Sequence, residues 1–148
     1  MATKHATTKK PNASQNPSTG TGAGDERPLA CNQALVIGEL VTEPDFRTVT
    51  GGVEVLSFSL TVRQDGVRTT SVPLVWYDPP ERTRSWQVGM HIVATGPVVR
   101  RFYHAKGAVA ARTEVNVSHA DPLTRKASAR RMVTAMSASV GSALDALD

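Results

Sequence analysis

The sequence predicts an all-β domain, a five-stranded Greek-key barrel, between a disordered N-terminal tail and a C-terminal amphipathic helix. Three observations carry this prediction. Residues 31–120 hold five stretches of strand character separated by turn signals. A segment unfit for a strand, residues 78–87, falls between the third and the fourth. Composition changes character on both sides of residues 31–120. Five strands with one helical or irregular insert suit a small barrel of the OB type, whereas a β-sandwich normally shows about seven strands.

The first strand runs from Leu35 through Ile37 to Val41, and Thr42-Glu43-Pro44-Asp45 breaks it. Thr50-Gly51-Gly52 is a turn signal. Val53 to Val62 alternates, with Val55, Ser57, Ser59 and Thr61 on one side and Leu56, Phe58, Leu60 and Val62 on the other. Asp65-Gly66 is a hairpin turn leading into Val67–Tyr77. Pro73 has no N–H to give a central strand, so it must face an edge or mark a bulge. His91-Ile92-Val93-Ala94 opens the fourth strand, which is expected to continue past Gly96 toward Arg101. Ala105-Lys106-Gly107 is a turn, and Val109 to Val117 closes the domain.

Residues 1–30 hold no aromatic and almost no large aliphatic side chain. They cannot bury enough apolar area to offset their ordering entropy, so disorder is expected there. Residues 121–148 read as a helix started by Asp121 as N-cap and Pro122 at the first helical position. Val133, Met136, Val140, Leu144 and Leu147 form its apolar stripe. Its charges oppose the helix dipole, with Lys126, Arg130 and Arg131 early and Asp145 and Asp148 late. Alone it would be marginal, so it needs a surface to dock on.

Composition excludes several functions. One cysteine, Cys31, allows neither an intrachain disulfide nor a Cys-based zinc site. The four histidines lack metal-ligand spacing, so no metal or other cofactor is expected. No apolar run is long enough to span a membrane, and no secretory signal is seen. No spacing marks a nucleophile–base pair and no Gly-rich phosphate loop is present, so the chain is not read as an enzyme. The net charge is +4, and twelve of the 17 basic residues are Arg. Acids cluster at Glu39, Glu43, Asp45 and Glu54, whereas Arg100, Arg101, His104, Lys106 and Arg112 lie in a stretch with no acid. The second half of the domain is therefore the candidate anion-binding face.

The segment Asn32–Arg47, with Thr42-Glu43-Pro44-Asp45-Phe46-Arg47, Thr50-Gly51-Gly52 and Val55-Leu56-Ser57-Phe58-Ser59-Leu60, resembles the opening of bacterial single-stranded DNA-binding proteins (SSBs). Leu74-Val75-Trp76, Val88-Gly89, Val93-Ala94-Thr95-Gly96, Gly107 and Arg112-Thr113-Glu114-Val115 follow in the family's order, so the resemblance covers residues 31–120. It implies an OB fold, non-enzymatic binding of single-stranded DNA in replication, recombination or repair, a cytoplasmic, nucleoid-associated location, and a homo-oligomer, usually a tetramer. It places base-stacking aromatics at Trp76 and at or beside Tyr103. Departures are clear. Thr70 stands where the family often has Trp, Arg63-Gln64-Asp65-Gly66 replaces a longer loop, and a Pro-Pro segment replaces a helix. The chain ends Ala-Leu-Asp-Ala-Leu-Asp rather than in an acidic, Phe-terminated tip, so recruitment of other proteins through such a tip is not expected.

Single-strand binding needs aromatic faces for bases and a basic groove for phosphates. The candidate residues are Trp76 and Tyr103 for stacking, with Tyr77 or Trp86 as the alternative further faces, and Arg63, Arg68, Arg100, Arg101, Lys106 and Arg112 for phosphates. Trp76 and Tyr77 alternate, so only one can face outward; the resemblance selects Trp76. Phe46, Phe58 and Trp86 are expected in the core, while Phe102-Tyr103 lies near a turn between basic residues and suits exposed stacking. Stacking reads RNA as well as DNA. The competing reading is an OB-fold assembly module that meets other proteins through its edge strands and C-terminal helix, with weak or no DNA binding.

Overall fold

The computed structural model describes residues 30–146; the predicted tail at 1–29 lies outside them, as do the last two residues. The elements are β1 (Ala34–Leu40), β2 (Asp45–Thr48), β3 (Glu54–Gln64), β4 (Val67–Tyr77), a 3-10 turn (Glu81–Ser85), β5 (His91–Gly96), β6 (Val98–Ala105), β7 (Ala108–Asn116), β8 (His119–Pro122) and α1 (Lys126–Asp145). Pairing runs β6-β7-β4-β3-β1-β5-β8, with β2 added to β3. All contacts are antiparallel except β4 with β7. The path turns back on itself through the chain, because Pro97 alone separates β5, next to its far end, from β6 at its start. Across that junction Asn116 N donates to Pro97 O at 2.9 Å and Ser118 N to Thr95 O at 2.8 Å. Counting β5 and β6 as one bent strand, and setting aside the short β2 and β8, gives the five strands of an OB-type barrel.

The bend corrects the expectation of one unbroken strand from His91 to Arg101. Its first half pairs with β1 and its second with β7. The switch requires glycine at 96, where a Cβ would lie 2.0 Å from Asn116 O. Two short strands were not foreseen, since β2 begins at Asp45, inside the segment that ends the first strand, and β8 occupies the expected helix start. Pro73 sits where β7 does not yet pair with β4, the edge position that its missing N–H demands.

Alternation in β3 builds the core: Leu56, Phe58 and Leu60 point inward to meet Leu74 and Trp76 of β4, Leu40 of β1, Ile92 and Ala94 of β5 and Val115 of β7. Trp86 closes the cluster, with its ring 5.5 Å from Phe58, edge-on, and 6.2 Å from Trp76. The Pro-Pro segment and the 3-10 turn deliver Trp86 there, and Thr83 Oγ1 donates to Pro80 O to hold the turn. Phe46 packs at the core's margin beneath the Arg84 guanidinium, 4.6 Å from its ring.

Helix α1 lies across β5 and β8. Val93 and Thr95 point away from the barrel core, opposite to Ile92 and Ala94, yet both are buried. Met132 supplies the buried helix side chain. Asp121 does not cap the helix from its first turn as expected. It pairs with Val93 inside β8, and its carboxylate accepts from Arg82 Nε and Arg125 Nη1, each at 3.0 Å, and from Ser128 Oγ. One buried carboxylate thus ties the 3-10 turn, β8 and α1 together. Burial acts to raise its pKa, but the Ser128 and Arg82 hydrogen bonds and the charges of Arg82 and Arg125 outweigh it and hold the group below its ordinary value. No helix among the described residues is long and apolar enough to cross a membrane.

Candidate nucleic-acid interface

The β6–β7 hairpin closes with Lys106 at φ +50° and Gly107 at φ +79°, both in the left-handed region of a two-residue hairpin turn. Cross-strand partners share a face, so the register sorts its side chains. Arg101 lies opposite Arg112 and Tyr103 opposite Ala110, whereas Arg100 lies opposite Thr113 and Phe102 opposite Ala111. Arg101, Tyr103, Arg112 and Glu114 therefore share the face that continues onto the barrel's outer surface.

That face extends over β4 and β2. Tyr77 points outward at the end of β4, with the Arg101 guanidinium 5.9 Å from its ring. Arg47 of β2 pairs with Val55 of β3, which pairs with Tyr77, so all three share one face. Arg47, Arg101, Phe102, Tyr103, Arg112 and Glu114 line a depression of about 450 Å³. Glu114 sits at its floor, 5% exposed, with Arg101 Nη1 at 3.4 Å and Arg112 Nε at 3.8 Å. Both guanidiniums stay about half exposed, so each keeps donors for a second anion.

The structure gathers only part of the predicted set. Arg101, Tyr103 and Arg112 come together, and Lys106 stands at the tip of the same hairpin. Arg100 is on the hairpin's other face, its guanidinium 5.3 Å from the Phe102 ring. Arg63 is paired with Glu39 of β1, and Arg68 lines a separate depression with Leu35, Ile37 and Thr70. Trp76 requires correction: it is 7% exposed, packed on Trp86, while Tyr77 is 37% exposed. Trp76 is two residues from buried Leu74 and must share its inward face. Arg47 and Glu114 were missed as site residues, and Tyr77 was passed over in favour of Trp76. Tyr77 was available from that parity; Arg47 needed the β2–β3 pairing, which no local pattern announces.

No family model matches the chain, and no curated protein matches it. Among solved structures it is similar to a Plasmodium falciparum SSB in complex with ssDNA, at 22% sequence identity and a TM-score of 0.53. The match covers 63% of this chain and 93% of that chain. The similarity establishes an SSB-like OB fold.

Proposed function

We propose that the protein binds single-stranded DNA without enzymatic activity, in replication, recombination or repair. One observation carries this reading: Tyr77 and Tyr103 stand among Arg47, Arg101 and Arg112 on one outward face of an OB barrel. Aromatic faces take bases at about 1–3 kcal/mol each, and guanidiniums take phosphates without reading sequence. The expected nucleoid-associated location follows from that activity. The homo-oligomer, a tetramer by the family resemblance, is supported by Leu35 and Ile37, exposed on the outward side of β1.

The test is fluorescence anisotropy with fluorescein-labelled oligo-dT at low salt. Both tryptophans are buried, so intrinsic Trp quenching would report poorly. Binding that weakens in Tyr103→Ala and Arg101→Ala, with unchanged circular dichroism, supports the reading. No anisotropy change with folded protein would overturn it.

The same apolar surface favours a second reading, an assembly module. Leu35, Ile37 and Val67 are exposed around a depression of about 420 Å³ remote from the arginine face. A stable oligomer by sedimentation, with no oligo-dT binding at any salt, would select that reading.

A further inference from the structure

The face of the β6–β7 hairpin that carries Arg101 and Tyr103 is only one of two. Arg100, Phe102 and His104 alternate with them and point the other way, opposite Thr113, Ala111 and Val109, while Phe102 also borders the depression of the first face. Where the hairpin joins the barrel this second face is core, since Val115 is buried against Leu74. Beyond that point the ribbon leaves the barrel. Phe102 is 67% exposed and Val109 65%. A two-stranded ribbon bare on both sides is marginal in water by its own strand pairing, so an exposed phenyl ring on its back is costly unless something covers it.

Charge decides what covers it. The back face carries Arg100 and His104, and neither they nor their cross-strand partners Thr113 and Val109 include an acid. The Arg100 guanidinium stands 5.3 Å from the Phe102 ring. A flat apolar ring with a planar cation beside it suits a ligand that is both planar and anionic. An apolar protein surface would instead have to bury the Arg100 guanidinium without a counter-charge. Lys106 at the turn stands between the two faces.

We infer that a single strand bound to the Tyr77–Tyr103 face continues past Lys106 to the back of the hairpin, where Phe102 stacks a further base and Arg100 holds its phosphate. The inference rests on the single-strand reading above. The hairpin is then a post that the strand wraps, and the bound length exceeds what one face spans.

The experiment compares labelled dT oligomers of 8 and 20 nucleotides with wild type, Phe102→Ala, Arg100→Lys and Tyr103→Ala. Phe102 lies at the surface, so its replacement leaves the fold intact, and circular dichroism checks this. Phe102→Ala should weaken the 20-mer by about 5- to 150-fold, the range of one lost stack, and the 8-mer by clearly less. Arg100→Lys keeps the charge but loses the planar fork, and should weaken the 20-mer alone. Tyr103→Ala should weaken both lengths. Equal loss on both lengths in Phe102→Ala would overturn the wrapped path and make Phe102 part of the first face. No loss on either, with a smaller sedimenting species in Phe102→Ala, would assign the back face to a second copy and overturn the inference while the first face still binds. Wild type that binds neither length would overturn the single-strand reading itself.

Discussion

Glu114→Gln tests whether the paired arginines hold phosphate. Glu114 is the carboxylate at the floor of the interface, between Arg101 and Arg112. Three guanidiniums against one carboxylate leave that face with two net positive charges. The substitution keeps the side chain's size and leaves three. On single strands each neutralised phosphate contributes a slope of about −0.7 in log affinity against log salt. On the 8-mer, which meets this face alone, the slope should steepen from about −1.4 to about −2.1. Between 50 and 200 mM salt the wild type should then lose about 7-fold in affinity and the variant about 18-fold. Low-salt affinity should rise as well. A phosphate at roughly 7 Å from the lost carboxylate is repelled by about 0.6 kcal/mol at the dielectric of water and about 2.4 kcal/mol at an effective dielectric near 20. The 20-mer should therefore bind about 3- to 60-fold tighter.

The assay is anisotropy across a salt series, with thermal melts to match folded fractions. Both arginines are half exposed and can rehydrate, so the variant should remain folded. An unchanged slope would mean that Arg101 and Arg112 meet no phosphate. Weaker binding at every salt would mean that Glu114 matters by orienting the guanidiniums rather than by its charge. Either result refutes the electrostatic argument.

Three further outcomes are expected. Gly96→Ala places a Cβ 2.0 Å from a backbone oxygen that flanks the β5–β6 junction, and should cost at least the ~1–3 kcal/mol of ordinary overpacking; an unchanged urea midpoint would contradict the junction's role. The pKa of Asp121 is depressed in the fold, so its contribution is full above the unfolded value near 3.9 and is lost as pH falls through the folded value; Asp121→Asn should lower stability at pH 6 and flatten the decline below about pH 4 in urea titrations. Trp76→Phe and Trp86→Phe should lower the melting temperature yet leave oligo-dT affinity unchanged at equal folded fraction, whereas Tyr103→Ala should do the reverse.

The barrel was legible because its signals are local. The alternation from Leu56 to Leu60 needs only the two-residue period of a strand, and Asp65-Gly66 and Lys106-Gly107 mark their own turns. What failed depends on long-range pairing. Asp121-Pro122 satisfies the local rule for a helix start, but β8 finds β5, and Asp121 reaches Arg125 at the helix N-cap and Ser128 in the helix from a strand. Arg47 looked like a lone base among acids, because the residue it accompanies, Tyr77, is thirty positions away and joined to it only through Val55. Trp76 was placed outward because a family position outweighed strand parity; Trp86, brought in by the contracted connection, gives Trp76 an inward partner.

Pairing also explains how a chain of modest charge can present a cationic face. Arg63 meets Glu39, Arg84 meets Glu54, and Arg82 and Arg125 meet Asp121, so these bases are engaged in joining elements. Among the described residues, the bases without such a role on the barrel are Arg68 of β4, which stands apart, and those that gather on β2 and the β6–β7 hairpin, where Glu114 is the one acid at the depression. That charge is enough for about two phosphates, so on the proposed reading stacking must supply much of the affinity. Two tyrosines at about 1–3 kcal/mol each match or exceed what two screened phosphate contacts give. Stacking requires bases whose faces are bare, and a duplex offers none. A face weighted toward rings over charge thus discriminates single strands from double strands by withholding the larger part of its binding energy from a duplex.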